Sequence, residues 1–194
     1  MKKIKRILSL VLAFMLALNV TCYAATEAET SAANQLNAFG ILKGRDNGGT
    51  VDLALGSTIT RAEIATLVLR ITGQEETNVP NLETVTQKDI VGHWAETNIR
   101  KVIKLGYMKG YDDNSYGPND NITYQEVVTL VLRLIGEEKN LTAEWPIGQI
   151  EKAKSIGLVK GETVFPKDRY PEKLTRGTVA LILYDTMILG TNTF

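Results

Sequence analysis

The sequence predicts a mainly helical fold built from three copies of one helix–loop–helix unit. The first observation is a Gly-x-x-x-Gly pair that occurs three times, at Gly40/Gly44, Gly106/Gly110 and Gly157/Gly161. The second is a threonine 17 to 20 residues after the first glycine of each pair, which opens an apolar run with helical period; these are Thr60, Thr123 and Thr175. A unit repeated at this length indicates symmetric or stacked copies of one supersecondary element around a shared core. Such an architecture favours binding over catalysis.

Residues 1–24 are predicted to be a secretory signal peptide. Four basic residues precede an apolar stretch from Ile7 to Val20, and Cys22-Tyr23-Ala24 provides a cleavage site of the small-x-small type. A single membrane anchor is the alternative, although the apolar stretch is short for a span. Cys22 could also be the lipidated cysteine of a lipoprotein, but Asn19 and Thr21 match that signal poorly. Cleavage after Ala24 leaves a mature chain without cysteine.

Charge argues against nucleic acid as a partner. The precursor has 22 basic and 22 acidic residues, and the signal peptide holds four of the basic ones and no acid. The mature chain therefore has 18 basic and 22 acidic residues, a formal charge of −4. A mildly acidic protein attracts neither nucleic acid nor anionic membrane through its overall field. An anionic ligand must instead be held by a few placed cations.

The mature chain is predicted to divide into repeats at 25–76, 77–139 and 140–194. The second repeat is the fullest, with a helix ended by Gly106, a turn-rich loop over 107–118, and a second helix from Thr123. The third keeps its spacing, because Trp145 precedes Gly157 by the same twelve residues that separate Trp94 from Gly106. The first has no tryptophan, and its helices are predicted around 32–38 and 60–72.

Two of the three second helices begin with a Thr-x-x-Glu capping box. In this motif the threonine hydroxyl accepts an early backbone N–H, and the glutamate reaches back to the N–H of the cap residue. The boxes are Thr60/Glu63 and Thr123/Glu126. The third helix keeps Thr175 but has Thr178 in place of glutamate, so a weaker start is expected there.

Three motifs resemble the S-layer homology domain. They are Asp89-Ile90-x-Gly92-His93-Trp94-Ala95, Gly106-x-x-x-Gly110-Tyr111-x-Asp113 and Ile59-Thr60-Arg61-Ala62-Glu63. The resemblance covers essentially the whole mature chain. It implies a secreted bacterial module that attaches proteins non-covalently to the cell envelope, located at the cell wall or S-layer. It further implies a pseudo-threefold helical bundle with prongs, whose grooves bind secondary cell-wall polysaccharide, often bearing ketal-linked pyruvate.

An arginine suits a pyruvyl carboxylate, because its planar fork is always charged and forms charge-assisted hydrogen bonds. Arg61 and Arg176 follow the helix cap, where the helix dipole adds positive potential. A solvated first-turn position is the simpler alternative for both. Trp94 and Trp145 could stack on sugar rings, but core packing is at least as good an account. The ligand-binding residues predicted on this basis are Arg61, Arg176, Trp94, Trp145, Thr60, Glu63 and Asp113, although turn formation explains Asp113 better.

Departures from the family pattern reduce the expected number of working grooves to one or two. Tyr124 stands where the family has arginine, Gly177-Thr178 replace Ala-Glu, and the first repeat lacks the His-Trp opening. Arg61 is expected to be the better ligand contact. Its replacement by alanine should then weaken wall binding with little change in stability, and an arginine at Tyr124 should strengthen binding.

Other functions are less well supported. No Ser/His/Asp pattern or nucleophilic cysteine predicts an enzyme, and carboxylate pairs are too common among 22 acids to count as a signal. No cofactor motif is present, and His93, as the only histidine, excludes a histidine-rich metal site. The stronger alternative is a structural adaptor or subunit of an envelope assembly that binds another protein rather than glycan. No stable membrane span is expected after processing.

Overall fold

The computed structural model describes residues 24–191, so the predicted signal peptide, including Cys22, lies outside the described residues except for Ala24. The described part is mainly helical, which confirms the predicted fold class. Its six α-helices are α1 Glu27–Ala38, α2 Arg61–Ile71, α3 Glu96–Lys104, α4 Tyr124–Leu134, α5 Ile147–Ser155 and α6 Arg176–Thr191. Strands β1 (Arg45–Asn47) and β2 (Thr50–Asp52) form an antiparallel hairpin between α1 and α2. Within residues 24–191, no helix is both long enough and apolar enough to cross a membrane.

The six helices form three helix–loop–helix units arranged in a ring. In each unit the second helix packs against the first helix of the following unit, so that α2 contacts α3 and α4 contacts α5. Helix α6 packs against α1, which closes the ring between the last unit and the first. One continuous apolar core runs through all three units.

Three backbone hydrogen bonds mark the centre of the ring. The N–H of Ile59 donates to the carbonyl of Leu174 (3.3 Å), Leu174 donates to Ile122 (3.0 Å), and Ile122 donates back to Ile59 (3.1 Å). All three residues are buried. This closed cycle relates the three segments that precede the second helices, and it confirms the predicted pseudo-threefold bundle of three units. Each predicted repeat segment contains one helix pair, while the exact boundaries at 76 and 139 stay a prediction.

The two glycines of each repeated pair have different physical reasons. The first follows the end of a helix with a left-handed backbone, at φ 72° for Gly40, 77° for Gly106 and 73° for Gly157. Glycine adopts this conformation without steric cost. At the second position space is the constraint in the first two pairs, since a Cβ on Gly44 would lie 2.6 Å from the carbonyl oxygen of Asp52 and one on Gly110 would lie 2.5 Å from that of Ser115. Gly161 differs, because its backbone is left-handed, at φ 55°, and the space around it is open. The motif therefore ends a helix in all three units and lets the chain pass close to its own loop in two of them.

Helix α1 begins at Glu27, so the expected start near residue 32 was wrong. The reason is a third capping box that the sequence analysis did not recognise. Thr26 accepts the N–H of Glu29 (3.1 Å), and the Glu29 carboxylate accepts the N–H of Thr26 (3.0 Å). The helix consequently begins directly after Thr26, the third of the described residues.

The capping box of α2 predicts a measurable loss on substitution of Thr60. Its hydroxyl accepts the N–H of Glu63 (3.2 Å), while Glu63 accepts the N–H of Thr60 (2.8 Å). We expect Thr60→Ala to lower the free energy of unfolding by about 1 kcal/mol, because one helix-start N–H loses its acceptor. Urea unfolding followed by circular dichroism measures this loss. Thr58→Ala is the matched control, since Thr58 is exposed and its hydroxyl makes no hydrogen bond within the described chain; an equal loss there would contradict the cap as the cause.

Candidate functional site

A groove of about 920 Å³ lies where the second unit meets its two neighbours. The second unit supplies most of its lining through the loop 107–112, the segment 119–123 and one face of α4. The first unit contributes Arg61, and the third contributes Trp145 and Lys173. Because all three units supply residues, the groove exists only when the ring is assembled.

Arg61 lies at the wall of this groove, where it is 4% exposed and bonded through three nitrogens. Its Nε donates to the carbonyl of Tyr116 (2.8 Å), Nη2 donates to the carbonyl of Lys109 (2.8 Å), and Nη1 pairs with Glu126 Oε1 (2.7 Å). The rings of Tyr111 and Tyr116 lie 4.6 and 4.7 Å from the guanidinium carbon. Each partner belongs to the second unit, so Arg61 joins two units. These contacts argue against the expectation that its removal leaves stability nearly unchanged.

Arg176 repeats this arrangement between the third unit and the first. Its Nε donates to the carbonyl of Leu53 (3.0 Å), Nη2 to the carbonyl of Lys43 (3.1 Å), and Nη1 to Glu63 Oε1 (3.1 Å). Burial lowers the pKa of Arg176, and the adjacent Glu63 carboxylate opposes that change. Glu63 thus has two roles. It closes the capping box of α2, and it pairs with Arg176 of the preceding unit in the ring.

The third junction has lost both members of the Arg–Glu pair. Tyr124 replaces the arginine; it is fully buried, stacks on Phe165 with ring centroids 4.4 Å apart, and donates to the carbonyl of Thr163 (2.9 Å). Burial raises the pKa of Tyr124 to about 12, so the hydroxyl remains a donor at neutral pH. Thr178 replaces the glutamate and donates to Glu29 Oε1 (2.6 Å).

The first turn of α1 fills this third junction. Gly177 leaves room for this turn, because a Cβ there would make a tight contact of 3.1 Å with Glu29 Oε2. Thr26 also donates to Glu162 Oε1 (3.1 Å) from the loop of the third unit. The cavity that remains measures only about 70 Å³. The first repeat has the first turn of α1 in place of a His-Trp opening, and the third repeat has Gly177-Thr178 in place of Ala-Glu. These two departures therefore meet at one junction, where Glu29 contacts both Gly177 and Thr178.

The two tryptophans are exposed and lie in different surroundings. Trp145 is 52% exposed, lines the groove, and donates its indole N–H to Thr129 Oγ1 (3.0 Å). Trp94 is 67% exposed, lies beside the His93 ring at 5.5 Å, and is not among the groove-lining residues. Such exposure argues against core packing for both, and it gives Trp145 an open aromatic face beside the groove.

Asp113 shapes the loop rather than the groove. Its Oδ1 accepts the hydroxyl and the backbone N–H of Ser115, and these hydrogen bonds lower its pKa. It is exposed and is not one of the residues that line the groove. This geometry supports turn formation as the account of Asp113. Thr60 and Glu63 likewise act in the cap of α2.

Two lysines of the groove were missed by the sequence analysis. Lys109 and Lys173 are exposed and line the groove, and neither takes part in an ion pair within the described chain. Lys109 precedes the second glycine of its repeat, as Lys43 and Lys160 do in theirs, and this recurrence was the available signal. Lys173 had no sequence signal, because the ring closure alone brings it to the second unit. The lysines therefore carry the uncommitted positive charge that was expected of Arg61.

Comparison with known proteins agrees with this architecture. The family model of the S-layer homology domain matches residues 88–128, which contain α3 and the start of α4. The middle cell wall protein of Brevibacillus brevis is 32% identical over 173 residues, or 82% of this chain and 16% of the relative. The cell surface protein of Thermoanaerobacter kivui is 31% identical over an alignment of 196 residues, which covers 94% of this chain and 24% of the relative. A cellulosome-anchoring protein of Acetivibrio thermocellus is 38% identical over 77 residues, or 39% of this chain and 17% of the relative.

The chain thus spans less than a quarter of the length of each of these relatives. The match to the family model falls on the unit whose motifs are most complete, and the first two of these relatives align with most of the chain. The chain therefore contains an S-layer homology domain at residues 88–128, and over most of its length it is similar to cell wall and cell surface proteins.

Proposed function

We propose that this chain is a non-catalytic module that anchors to the bacterial cell wall or S-layer by binding secondary cell-wall polysaccharide. The observation that carries the proposal is the groove of about 920 Å³ with the exposed face of Trp145 beside two uncommitted lysines. The family and the wall-associated names of its relatives support attachment to the wall in general.

The sugar is expected to lie on Trp145. A pyranose ring has an apolar face of C–H groups, and an indole offers a large rigid surface with little conformational entropy to lose. The hydrogen bond from its Nε1 to Thr129 fixes the ring plane before a ligand arrives. Tyr111, which is 41% exposed and also lines the groove, adds a second aromatic surface. These features suit a carbohydrate better than a peptide strand.

The acidic group of the polymer, for which ketal-linked pyruvate is the proposed chemistry, is expected to contact Lys109 and Lys173. Three nitrogens of Arg61 are already bonded to protein acceptors, so its role is to hold the loop that carries Lys109. An ammonium group on a flexible stem can follow a carboxylate on a mobile polymer. The groove therefore combines a fixed aromatic surface with movable charges.

Two junctions rather than three are expected to bind polymer. The Arg–Glu pair is present at the Arg61 and Arg176 junctions, while the first turn of α1 fills the third. Two weak sites on one rigid ring raise the overall avidity for a repeating polymer beyond that of either site.

Removing the Trp145 side chain tests the groove. We expect Trp145→Ala to weaken binding to purified wall polymer about tenfold, since aromatic contact of this kind contributes about 1 kcal/mol or somewhat more. Isothermal titration calorimetry measures the change, and sedimentation with wall sacculi gives an independent readout. Phe39→Ala is the matched control, because Phe39 is 62% exposed at the end of α1 and is not a groove-lining residue.

Two results would contradict the proposal. One is equal binding by the Trp145→Ala variant and the native chain. The other is undiminished sedimentation with sacculi from which hydrofluoric acid has removed the polysaccharide. If the chain stayed on such stripped sacculi because an envelope protein held it, the alternative of a structural adaptor that binds protein rather than glycan would be supported instead.

A further inference from the structure

One buried threonine on α2 and one on α4 each accept a side chain from the next unit of the ring. Thr66 on α2 accepts the side-chain amide of Asn98 (3.0 Å), and Thr129 on α4 accepts the indole N–H of Trp145 (3.0 Å). Each threonine donates its own proton to the helix carbonyl four residues earlier, as threonines within helices commonly do. The same hydroxyl oxygen is therefore used by a different donor in each unit.

Gln149 is left without a partner by this difference. It lies four residues after Trp145, as Asn98 does after Trp94, and α5 packs against α4 as α3 packs against α2. Gln149 is only 7% exposed, its Oε1 is buried without a partner, and its side-chain amide makes no hydrogen bond within residues 24–191. Buried polar groups are normally hydrogen-bonded, and leaving one unpaired costs free energy. The donor that the pseudosymmetry assigns to Thr129 is thus present but displaced.

The second unit shows the arrangement in which the amide takes the threonine. There the Trp94 ring is 67% exposed, and its indole N–H has no hydrogen-bond partner among the described residues. The Trp145 ring is 52% exposed and is held by its hydrogen bond. The two units therefore present an amide-bonded and an indole-bonded form of the same set of positions.

Opposing costs bring the two forms close in free energy in the third unit. Bonding Gln149 to Thr129 satisfies a buried amide, but it fixes a long side chain with many rotamers. Bonding Trp145 fixes a more rigid side chain, at the cost of the unpaired amide. When two states differ by a small free energy, both are populated and they interconvert.

We propose that Trp145 and Gln149 compete for the Thr129 hydroxyl, which gives the groove two states. In the held state, present in the structure, the indole is bonded to Thr129 and the ring lies beside the groove. In the released state Gln149 donates to Thr129, and the indole is as unconstrained as that of the second unit. Gln149 is thus a positioning residue that lowers the affinity for sugar, because only the held fraction offers a fixed ring. This effect on affinity rests on the proposed function, whereas the competition itself does not.

Hydrogen exchange of the indole N–H groups, measured by NMR on the mature chain without ligand, tests the competition. The chain has two tryptophans, so Trp94 is the internal reference for an unbonded ring. We expect Gln149→Met to slow exchange at Trp145 at least about twofold, because the competing donor is gone and the held state is protected from solvent. Gln87→Met is the matched control, since Gln87 also has a buried Oε1 without a partner in the described chain.

Gln149→Asn is expected to act in the opposite direction. Asparagine is the residue that bonds the equivalent threonine in the second unit, so exchange at Trp145 should rise at least about threefold, toward the rate of Trp94. Native exchange rates in both Gln149 variants would overturn the competition. So would an unchanged rate in Thr129→Val, which removes the acceptor, or an equal slowing by Gln87→Met.

Titration with purified wall polymer tests the effect on affinity. We expect Gln149→Asn to weaken binding about threefold, less than the loss of about tenfold expected of Trp145→Ala, because the ring is released rather than removed. Gln149→Met should bind at least as tightly as the native chain. If Trp145→Ala weakens binding and Gln149→Asn does not, this role of Gln149 is wrong and the groove remains. If Trp145→Ala binds as the native chain does, the proposed function fails, while the hydrogen-exchange rates still decide the competition.

Discussion

Replacing Arg61 with alanine is expected to lower the free energy of unfolding by about 3–5 kcal/mol. The substitution removes three hydrogen bonds that join the first unit to the second, and it leaves the carbonyls of Tyr116 and Lys109 without their donor. Glu126 loses its only cationic partner in the described chain and keeps a charge that is largely shielded from water. An uncompensated buried charge costs more than the pair contributes. Urea unfolding at neutral pH measures the loss.

Two further variants separate the causes. Arg61→Lys keeps the charge but has its N–H donors on a single nitrogen, which cannot meet the three acceptors that Nε, Nη1 and Nη2 of the planar guanidinium reach. We therefore expect a loss smaller than that of Arg61→Ala but still well above zero. Combining Arg61→Ala with Glu126→Gln should cost less than the two single effects added together, because the stranded carboxylate is then neutral. Arg45→Ala serves as the control for the loss of an exposed arginine. A native unfolding curve for Arg61→Ala would show that the inter-unit bonds do not hold the ring.

The fold could be predicted because its signals are local and occur three times. Gly106 ends a helix and Thr123 begins the next, and each of these events depends on atoms within a few residues. Repetition then fixed the architecture, since three similar units must share one core. The start of α1 was not predicted although Thr26 and Glu29 form the same local motif, because this box lies at the first helix of its unit, whereas the other two boxes lie at the second helix.

The junctions could not be predicted from local patterns. Arg61 and Glu126 are 65 positions apart, and Arg176 and Glu63 are 113 apart, so their pairing depends on ring closure. A sequence shows that an arginine follows a helix cap, but it does not show which carbonyls approach the guanidinium. The expectation of a free guanidinium at Arg61 rested on that missing information. The roles of Lys109 and Lys173 were hidden for the same reason.

The two tryptophans could not be distinguished from the sequence. Trp94 and Trp145 occupy equivalent positions before a helix, so sugar stacking and core packing were alternatives for both. In the structure they differ in whether the indole N–H is bonded to a threonine hydroxyl of the preceding unit. Thr129 accepts the indole N–H of Trp145, while the equivalent Thr66 accepts the Asn98 side-chain amide instead (3.0 Å). The equivalent threonine hydroxyl thus accepts a different donor in each unit, and only the Trp145 ring is held by it.

Placing an arginine at Tyr124 is expected to destabilise the protein by at least about 3 kcal/mol, rather than to strengthen attachment. Tyr124 is fully buried against Phe165, and Thr178 stands where the other two junctions have the glutamate that pairs with arginine. The nearby carboxylate of Glu29 already accepts the Thr178 hydroxyl and the N–H of Thr26, so a new guanidinium could pair with it only by disturbing the cap of α1. Thermal and urea unfolding of Tyr124→Arg measure the cost. Phe39→Arg is the control, since it introduces the same charge at an exposed aromatic position.

A designed rescue tests whether the three departures form one arrangement. Thr178→Glu would supply the missing acid, but it would also set that carboxylate beside Glu29, whose Oε1 lies 2.6 Å from the Thr178 hydroxyl. We therefore expect Tyr124→Arg with Thr178→Glu to recover little stability, and the addition of Glu29→Gln to recover a larger share, because like-charge repulsion is then removed. If Tyr124→Arg alone folds with native stability and binds polymer more tightly, the third junction is an open groove and α1 does not close it. The triple variant could also gain polymer affinity along with stability. That result would show that restoring the Arg–Glu pair is enough to make the third junction bind polymer.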